Sequence, residues 1–273
     1  MARVTEVTFS RASILESLPS SIRERLESFE VFQQLPSTNT YLMGQPAPSA
    51  GMGRVALADH QTAGRGRRQS TWLSSPNAGI CLSIAFTLQR SAKDLPALTL
   101  ALGVGAVRAL GHRGISGARL KWPNDIVFDD NKLGGILCEL KTVSGGETSI
   151  VAGIGLNVKL PPELKAMVMS DWADEPADLS LCPDDQQDRN VLVAALIGEW
   201  LEAMTVFAVH GLEPFLAAWR DLDWLQGRAI EVDQAGSTLS GVASGISDDG
   251  ELLISLAGKL YPINSGGIRL CSQ

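Results

Sequence analysis

The sequence predicts an α+β protein built on a mixed, mainly antiparallel sheet with flanking helices, on three observations. Apolar runs of strand length recur between residues 54 and 158, some links between them are too short to carry a crossover helix, and helical spacing returns after residue 189. A doubly wound, all-parallel sheet needs a helix between every pair of strands and does not fit this order.

Residues 1 to about 34 hold one expected amphipathic helix, with Ile22, Leu26 and Phe29 at helical spacing. Strands are expected at 54–58, 80–86, 118–122, 125–129, 135–140 and 149–158. Between the second and third, "DLPALTLALGVGAVRALGH" reads as a helix buried on the sheet and closed by Gly111. "DDNK" at 129–132 and "SGG" at 144–146 are turn-like links that can join only antiparallel neighbours. After Arg189 an apolar stripe of Ile197, Leu201, Met204 and Ala208 runs to Gly211, and a second helix opens at Pro214 with Phe215, Trp219 and Leu222 inward. Beyond Gln226 the short strands "AIEV", "TLSGVASGI", "ELLISLA" and "KLYPI", with "SDDG" at 247–250 as a hairpin signal, predict a small β-barrel. The expected division is residues 1–226 and residues 227–273.

Composition narrows the function. With 45% hydrophobic and 19% charged residues, the 273-residue chain can bury one sizeable core plus a smaller unit. A net charge of −7 means that any affinity for nucleic acid, anionic lipid or another anion has to be local. Cys81, Cys138, Cys182 and Cys271 show no C-x-x-C spacing and fit reduced cytosolic thiols, while His60, His112 and His210 lack metal-ligand spacing. The N-terminus has no basic start before a long apolar core, and no run is read as reaching the ~18–20 apolar residues that span a bilayer, so a cytoplasmic location without membrane contact is expected.

Against this acidic background "GRGRR" at 64–68 is a cationic island, expected on a loop. An ordinary exposed loop accounts for it; so does an anion clamp. Gly64 and Gly66 let backbone N–H groups approach a ligand, and the guanidiniums of Arg65, Arg67 and Arg68 supply forked donors suited to phosphate and carboxylate. The stretch matches neither G-x-x-x-x-G-K-[ST] nor G-x-G-x-x-G. Further on, Pro123 ends the strand carrying Lys121 and Trp122 and leaves Asn124 and Asp125 on a turn at the mouth of the sheet. Lys132 precedes Gly134 and Gly135, a cation beside bare backbone. Simple turn capping by Asn124 and Asp125, and a solvated Lys132, are the structural alternatives.

"STNTYL" at 37–42, "QTAGRGRR" at 61–68, Trp72, "KWPNDI" at 121–126, "KLGGILCE" at 132–139 and "GIGLNV" at 153–158 resemble, in order and spacing, the biotin protein ligases. The likeness runs from about Ser37 to the C-terminus. It implies a class II synthetase-like catalytic unit followed by an SH3-like barrel. It also implies an enzyme that joins biotin to ATP as biotinyl-5′-AMP and passes the biotinyl group to one lysine of a biotin carboxyl carrier protein. By this resemblance Ser37, Thr38, Asn39 and Gln61 meet the neutral ureido head of biotin, for which hydroxyl and amide groups are suited. Gly64, Arg65, Gly66 and Arg67 would enclose the biotinyl group, Gly135 would lie against its bicycle and tail, and Lys132 would contact the carboxyl oxygen and α-phosphate. Arg67, Arg68, Asn124, Asp125, Lys132, Asn157 and Trp172 would serve ATP, with Asp125 also meeting Mg²⁺, which prefers hard oxygen ligands. Lys132, Arg67, Lys121 and Asp125 are the residues this resemblance makes catalytic.

The chain also departs from the pattern. Ser70 and Thr71 stand where some members carry further basic residues. Arg269 replaces a small polar residue and Cys271 a terminal arginine, which leaves a role for the last strand in ATP contact unsupported. About thirty-six residues precede Ser37, too few for the winged helix-turn-helix of members that repress biotin genes, so operator binding is not expected. Monomer and homodimer both stay open. One rival is a lipoyl or octanoyl transferase of the same fold with Cys138 as its thioester nucleophile, disfavoured because Cys138 shares a strand face with Ile136 in apolar surroundings. The other is a nucleic-acid-binding protein using GRGRR, weakened by the acidic balance and the lack of interleaved aromatics.

Overall fold

The computed structural model describes residues 9–144, 147–168, 176–234 and 237–271. Ser10 caps helix α1 (Arg11–Ser17), its hydroxyl accepting from Ser13 N, and Ile14 enters the core. One further turn, α2 (Ser20–Arg23), buries Ile22, and the chain then extends as β1 (Leu26–Leu35). The helix expected through Ile22, Leu26 and Phe29 is thereby corrected. Its apolar spacing straddles a turn, and beyond that turn the aromatic and β-branched Phe29, Val31 and Phe32 favour extended chain.

Helix α3 (Thr38–Gly44) is the crossover to β2 (Gly53–Gln61), which pairs parallel to β1 with Val31 opposite Leu57. A short hairpin of β3 (Gly64–Arg65) and β4 (Thr71–Trp72) follows, then β5 (Gly79–Leu88). After α4 (Leu95–Gly111) come β6 (Arg119–Lys121), β7 (Asp125–Phe128), β8 (Asn131–Ser144) and β9 (Glu147–Asn157), close to the expected runs. Seven of these strands form one sheet of order β1-β2-β5-β9-β8-β7-β6, antiparallel at every ladder except β1 with β2.

Helix α5 (Pro162–Met167) leads to α6 (Arg189–His210), which Asp188 caps and which stops where Gly211 takes φ +70°. The two faces of the sheet are covered differently. Ala56, Ala85 and Val151 pack against Leu42 of α3, while their neighbours Val55, Ile84 and Ile150 join the main core under α4 and α6. Small residues on one face thus let α3 approach closely, and β5 is buried along nearly its whole length. By length and composition α6, and α4 with the turn before it, could each cross a bilayer, which corrects the expectation that no run is long enough. They serve instead as core helices packed on each other, with Trp200 Nε1 donating to Leu102 O at 3.0 Å.

Helix α7 (Leu216–Leu222) precedes β10 (Ala229–Gln234), β11 (Ser237–Ile246), β12 (Leu252–Leu256), β13 (Lys259–Ile263) and β14 (Gly267–Leu270). These make an antiparallel sheet of order β13-β12-β11-β10-β14. Among the described residues β13 and β14 are its two edges and share no ladder, so the expected closed barrel is an open sheet. Ile230, Val232, Ala243 and Ile254 belong to the same apolar cluster as the first sheet's core. Trp224 N also donates to Leu120 O at 2.9 Å, and Trp122 Nε1 to Gly250 O at 3.0 Å.

Candidate active site

A pocket of about 400 Å³, ample for a small ligand, opens where α3, the β3–β4 hairpin, the β6–β7 turn and β14 meet over β8 and β9. One end is neutral and hydrogen-bonding. Ser37 caps α3, accepting from Thr40 N, and this sets Thr38 and Asn39 over the sheet. Thr38 donates from its N at 2.7 Å and its Oγ1 at 3.0 Å to Gln61 Oε1. Thr38 Oγ1 also lies 2.6 Å from Ser83 Oγ, which donates to Asn39 Oδ1 at 2.6 Å. Asn39 Nδ2 in turn donates to Leu137 O at 3.2 Å and Glu139 Oε2 at 2.9 Å. The close seat of Asn39 needs Gly153, where a Cβ would stand 2.1 Å from Asn39 Oδ1.

The 64–72 hairpin crosses the middle. Its glycines are required by packing: a Cβ at Gly64 would meet Trp72 O at 2.3 Å, and one at Gly66 would meet Ser70 Oγ at 2.3 Å. Strands therefore hold Gly64 and Arg65, which the loop expectation missed, and only Arg67–Gln69 form a tight turn. Within it Arg68 (φ 53°) and Gln69 (φ 62°) occupy the left-handed region, an uncommon backbone state for bulky side chains. Trp72 lies on the sheet over Gly155, where a Cβ would be 2.2 Å from the indole.

The other end is cationic. Lys132 Nζ meets Asp125 Oδ1 at 2.6 Å, and Arg67 Nη1 donates to Asn124 Oδ1 at 3.2 Å. Asn124 is itself fixed by donating Nδ2 to Ile136 O at 2.9 Å. Lys121 is only 2% exposed, and burial pushes its ammonium down to about 7, with Asp125 opposing and Lys132 reinforcing the shift. Its Nζ donates to Ile268 O at 3.4 Å and faces the Trp224 ring at 5.7 Å. Burial, followed by the charge of Arg68, also lowers the Arg67 guanidinium from its ordinary range.

Of the residues expected from sequence, Ser37, Thr38, Asn39, Gln61, Arg65, Gly66, Arg67, Arg68, Lys121, Asn124, Asp125, Lys132 and Gly135 line this one pocket. Gly64 adjoins it through Trp72, and a Cβ on Gly135 would come into ordinary contact with Asp125 at 3.4 Å and Lys132 at 3.5 Å. Asn157 is not on its wall. Its Nδ2 donates to Ala177 O at 2.9 Å and Lys132 O at 3.5 Å, so it steadies the backbone of Lys132. Trp172 lies outside the described residues. Asp125 and Asn124 do not lie open at the turn: the Asp125 side chain is 12% exposed and engaged by Lys132. Sequence reasoning missed Ser83 and Glu139 as pocket groups or their partners, although Glu139 stood inside a motif already singled out, and it noted Arg269 only as a departure from the family pattern. Cys138 packs toward α4, with burial pushing its thiol up to about 11, Thr99 of α4 as a hydrogen-bond partner and the charge of Arg67 opposing the rise.

Residues 31–157 match the biotin/lipoate A/B protein ligase family. Over 246 residues the chain is 33% identical to the bifunctional ligase/repressor BirA of Escherichia coli, covering 90% of this chain and 74% of that protein. It is 31% identical to the biotin–[acetyl-CoA-carboxylase] ligase of Mycobacterium tuberculosis, covering 88% of this chain and 87% of the relative. Among solved structures, the biotin protein ligase of Aquifex aeolicus in complex with biotin and ATP superposes with a TM-score of 0.71 at 26% identity, over 91% of this chain and 100% of that one.

Proposed function

The chain belongs to the biotin protein ligases, within the biotin/lipoate A/B protein ligase family, and from that premise we propose how its pocket carries out the reaction. The enzyme activates biotin with ATP as biotinyl-5′-AMP, releasing pyrophosphate, and transfers the biotinyl group to a lysine of a biotin carboxyl carrier protein. The observation that supports these residue roles is the polarity of a single cavity, neutral at the Thr38–Asn39–Gln61 end and cationic at the Lys132–Lys121–Arg67 end.

The ureido head of biotin fits the neutral end, where amide and hydroxyl groups can both donate and accept. Its carboxylate then points toward the cations, where the α-phosphate of ATP is brought. Approach of a carboxylate to a polyanion is opposed by repulsion, and Lys132, Arg67 and Arg68 offset it. Lys132 is held ready by Asp125 and exchanges that partner for the oxygens that gain charge as the phosphorus is attacked. Asp125, beside Asn124, suits Mg²⁺ arriving with the nucleotide, because Mg²⁺ is commonly held by one or two carboxylates plus phosphate oxygens. Among the described residues no cluster of three or more Asp, Glu, His or Cys would cage an ion by itself. When bound, the ion neutralises phosphate charge. In the second step the carrier amine attacks the acyl carbon and AMP leaves. Until then the hairpin keeps water from the mixed anhydride.

We assign biotin and ATP binding to residues 1–226, and to residues 227–273 the flanking wall formed by Gly267, Ile268 and Arg269. That wall brings the last strand to the edge of the pocket. Four free cysteines suit the reducing cytoplasm. The octanoyl-transfer alternative is not favoured, since Cys138 is a half-buried, weakly acidic thiol packed on the core under α4.

The test is incubation with labelled biotin, Mg²⁺-ATP and a carboxyl carrier domain, with and without its target lysine. Label should reach the carrier only when that lysine is present. Failure of transfer with an intact lysine would overturn the assignment.

A further inference from the structure

Glu139 has no role in the reaction as derived so far, yet it joins the biotin end of the pocket to the hairpin. Its side chain is 19% exposed on β8, and both its oxygens are engaged. Oε1 accepts from Arg65 Nη2 at 2.6 Å, and Oε2 accepts from Arg65 Nη1 at 3.2 Å. Oε2 also accepts from Asn39 Nδ2 at 2.9 Å. The fork of Arg65 on one carboxylate is a bidentate, charge-assisted pair, the strongest and most directional kind of side-chain hydrogen bonding. Arg65 is turned away from the cationic end by this pair, whereas Arg67 donates to Asn124 there and Arg68 lies against Gly267. The amide of Asn39 is oriented by the same carboxylate. With Nδ2 facing two acceptors, Glu139 and Leu137 O, its oxygen is left toward Ser83 and the pocket.

We infer that Glu139 is a positioning residue that fixes Arg65 and the Asn39 amide together, dividing the GRGRR segment into an anchored half at Arg65 and an anion-binding half at Arg67 and Arg68. The inference rests on the reading of Asn39 as part of the biotin end. Arg65 is on this account not a phosphate ligand. Its charge is taken up by Glu139, and its work is to hold the hairpin at one end while the turn at 67–69 moves. Because Asn39 shares the carboxylate, one side chain serves both the biotin end and the hairpin anchor, through separate hydrogen bonds.

Two substitutions separate these duties. Glu139→Gln keeps an acceptor for Asn39 and removes the charge that pairs Arg65, while Glu139→Ala removes both. The full chain is compared with each variant and with Arg65→Ala and the Arg65→Ala/Glu139→Ala double variant. Two quantities are read: trypsin cleavage after Arg67 and Arg68 without ligand, and biotin affinity by calorimetry. Both Glu139 variants should be cut roughly tenfold faster than the parent, as loss of a bidentate ionic pair allows. Only Glu139→Ala should also lose roughly tenfold in biotin affinity. In the cleavage rate the double variant should be no worse than either single one, because one contact is being removed twice. Unchanged cleavage in Glu139→Gln, equal affinity losses in the Gln and Ala variants, or additive effects in the double variant would each overturn the proposal. If the parent chain itself bound no biotin, the functional reading would fail instead, and the cleavage comparison would still decide whether Glu139 anchors Arg65. Should Glu139→Ala melt at the assay temperature, the Gln and Arg65→Ala variants carry the test alone.

Discussion

Lys132 and Asp125 meet at 2.6 Å across the β7–β8 pairing in which Asp125 stands opposite Gly135. A lysine so held is positioned for charge that develops during adenylation and contributes little to the neutral head of biotin. Lys132→Ala is expected to slow pyrophosphate-linked adenylate formation by ~10²–10³-fold, the usual scale for losing one transition-state donor, while biotin affinity changes by less than about threefold. Isotope exchange between pyrophosphate and ATP gives the first figure and calorimetry the second. Equal losses in both would remove Lys132 from the chemical step.

Arg67 reaches the cationic end from the tight turn, donating to Asn124 at 3.2 Å. Arg67→Gly removes that contact and a guanidinium from the pocket without touching the core. The variant should melt within about 2 °C of the parent, as expected of a non-core change, and release free biotinyl-AMP roughly tenfold faster. Release is followed by chromatography of the filtrate after a single turnover. Retention equal to the parent's would show that the clamp does not depend on Arg67.

Gly153 and Gly155 hold their places because of what rests on them. A Cβ at Gly153 would fall 2.1 Å from Asn39 Oδ1, and one at Gly155 would fall 2.2 Å from the Trp72 indole. Alanine at either position must displace a pocket group, at about 1–3 kcal/mol of stability as for other overpacked sites. Gly153→Ala should in addition weaken biotin binding by about tenfold through Asn39, measured by calorimetry beside a denaturant melt. Full affinity in Gly153→Ala would separate Asn39 from the biotin end.

Lys121 ties pH to stability. An unfolded lysine titrates near 10.4, and burial brings Lys121 down to about 7 in the fold. Between those values the unfolded chain holds a proton that the folded chain lacks, so this group makes stability rise with pH from about 7 toward 10.4; below that window its contribution is constant. Denaturant unfolding from pH 6 to 10 should show the rise in the parent and a flatter profile in Lys121→Met. The same slope in both would mean that Lys121 titrates normally. An incoming triphosphate should return the proton, so nucleotide binding near pH 8 is expected to take up protons, visible as a buffer-dependent heat.

Much of this fold was legible because its strands are apolar runs joined by links such as "DDNK", which allow only an antiparallel neighbour. The first strand was not. Ile22, Leu26 and Phe29 keep a helical period by accident across the turn after Arg23, and periodicity carries no mark of where a turn falls. The site was readable where its groups sit in compact motifs, as in GRGRR and KWPND. Its electrostatics were not, because they arise from distant chain. Glu139 pairs with Arg65 across 74 residues, and the environment of Lys121 is completed by Trp224 and the carbonyl of Ile268. The glycines at 64 and 66 were explained by ligand approach alone, yet each is also demanded by a backbone or hydroxyl oxygen less than 3 Å from where a Cβ would be, which only the folded hairpin reveals.

The central claim is that the hairpin around Arg67 closes on the acyl adenylate. Hydrogen exchange of the backbone amides at residues 67–69, with the chain empty and saturated with biotinyl-AMP, addresses it most directly. These amides are expected to exchange at least ~10-fold more slowly in the complex, as when an open loop becomes ordered. Unchanged exchange there, with calorimetry showing the adenylate bound, would contradict the account.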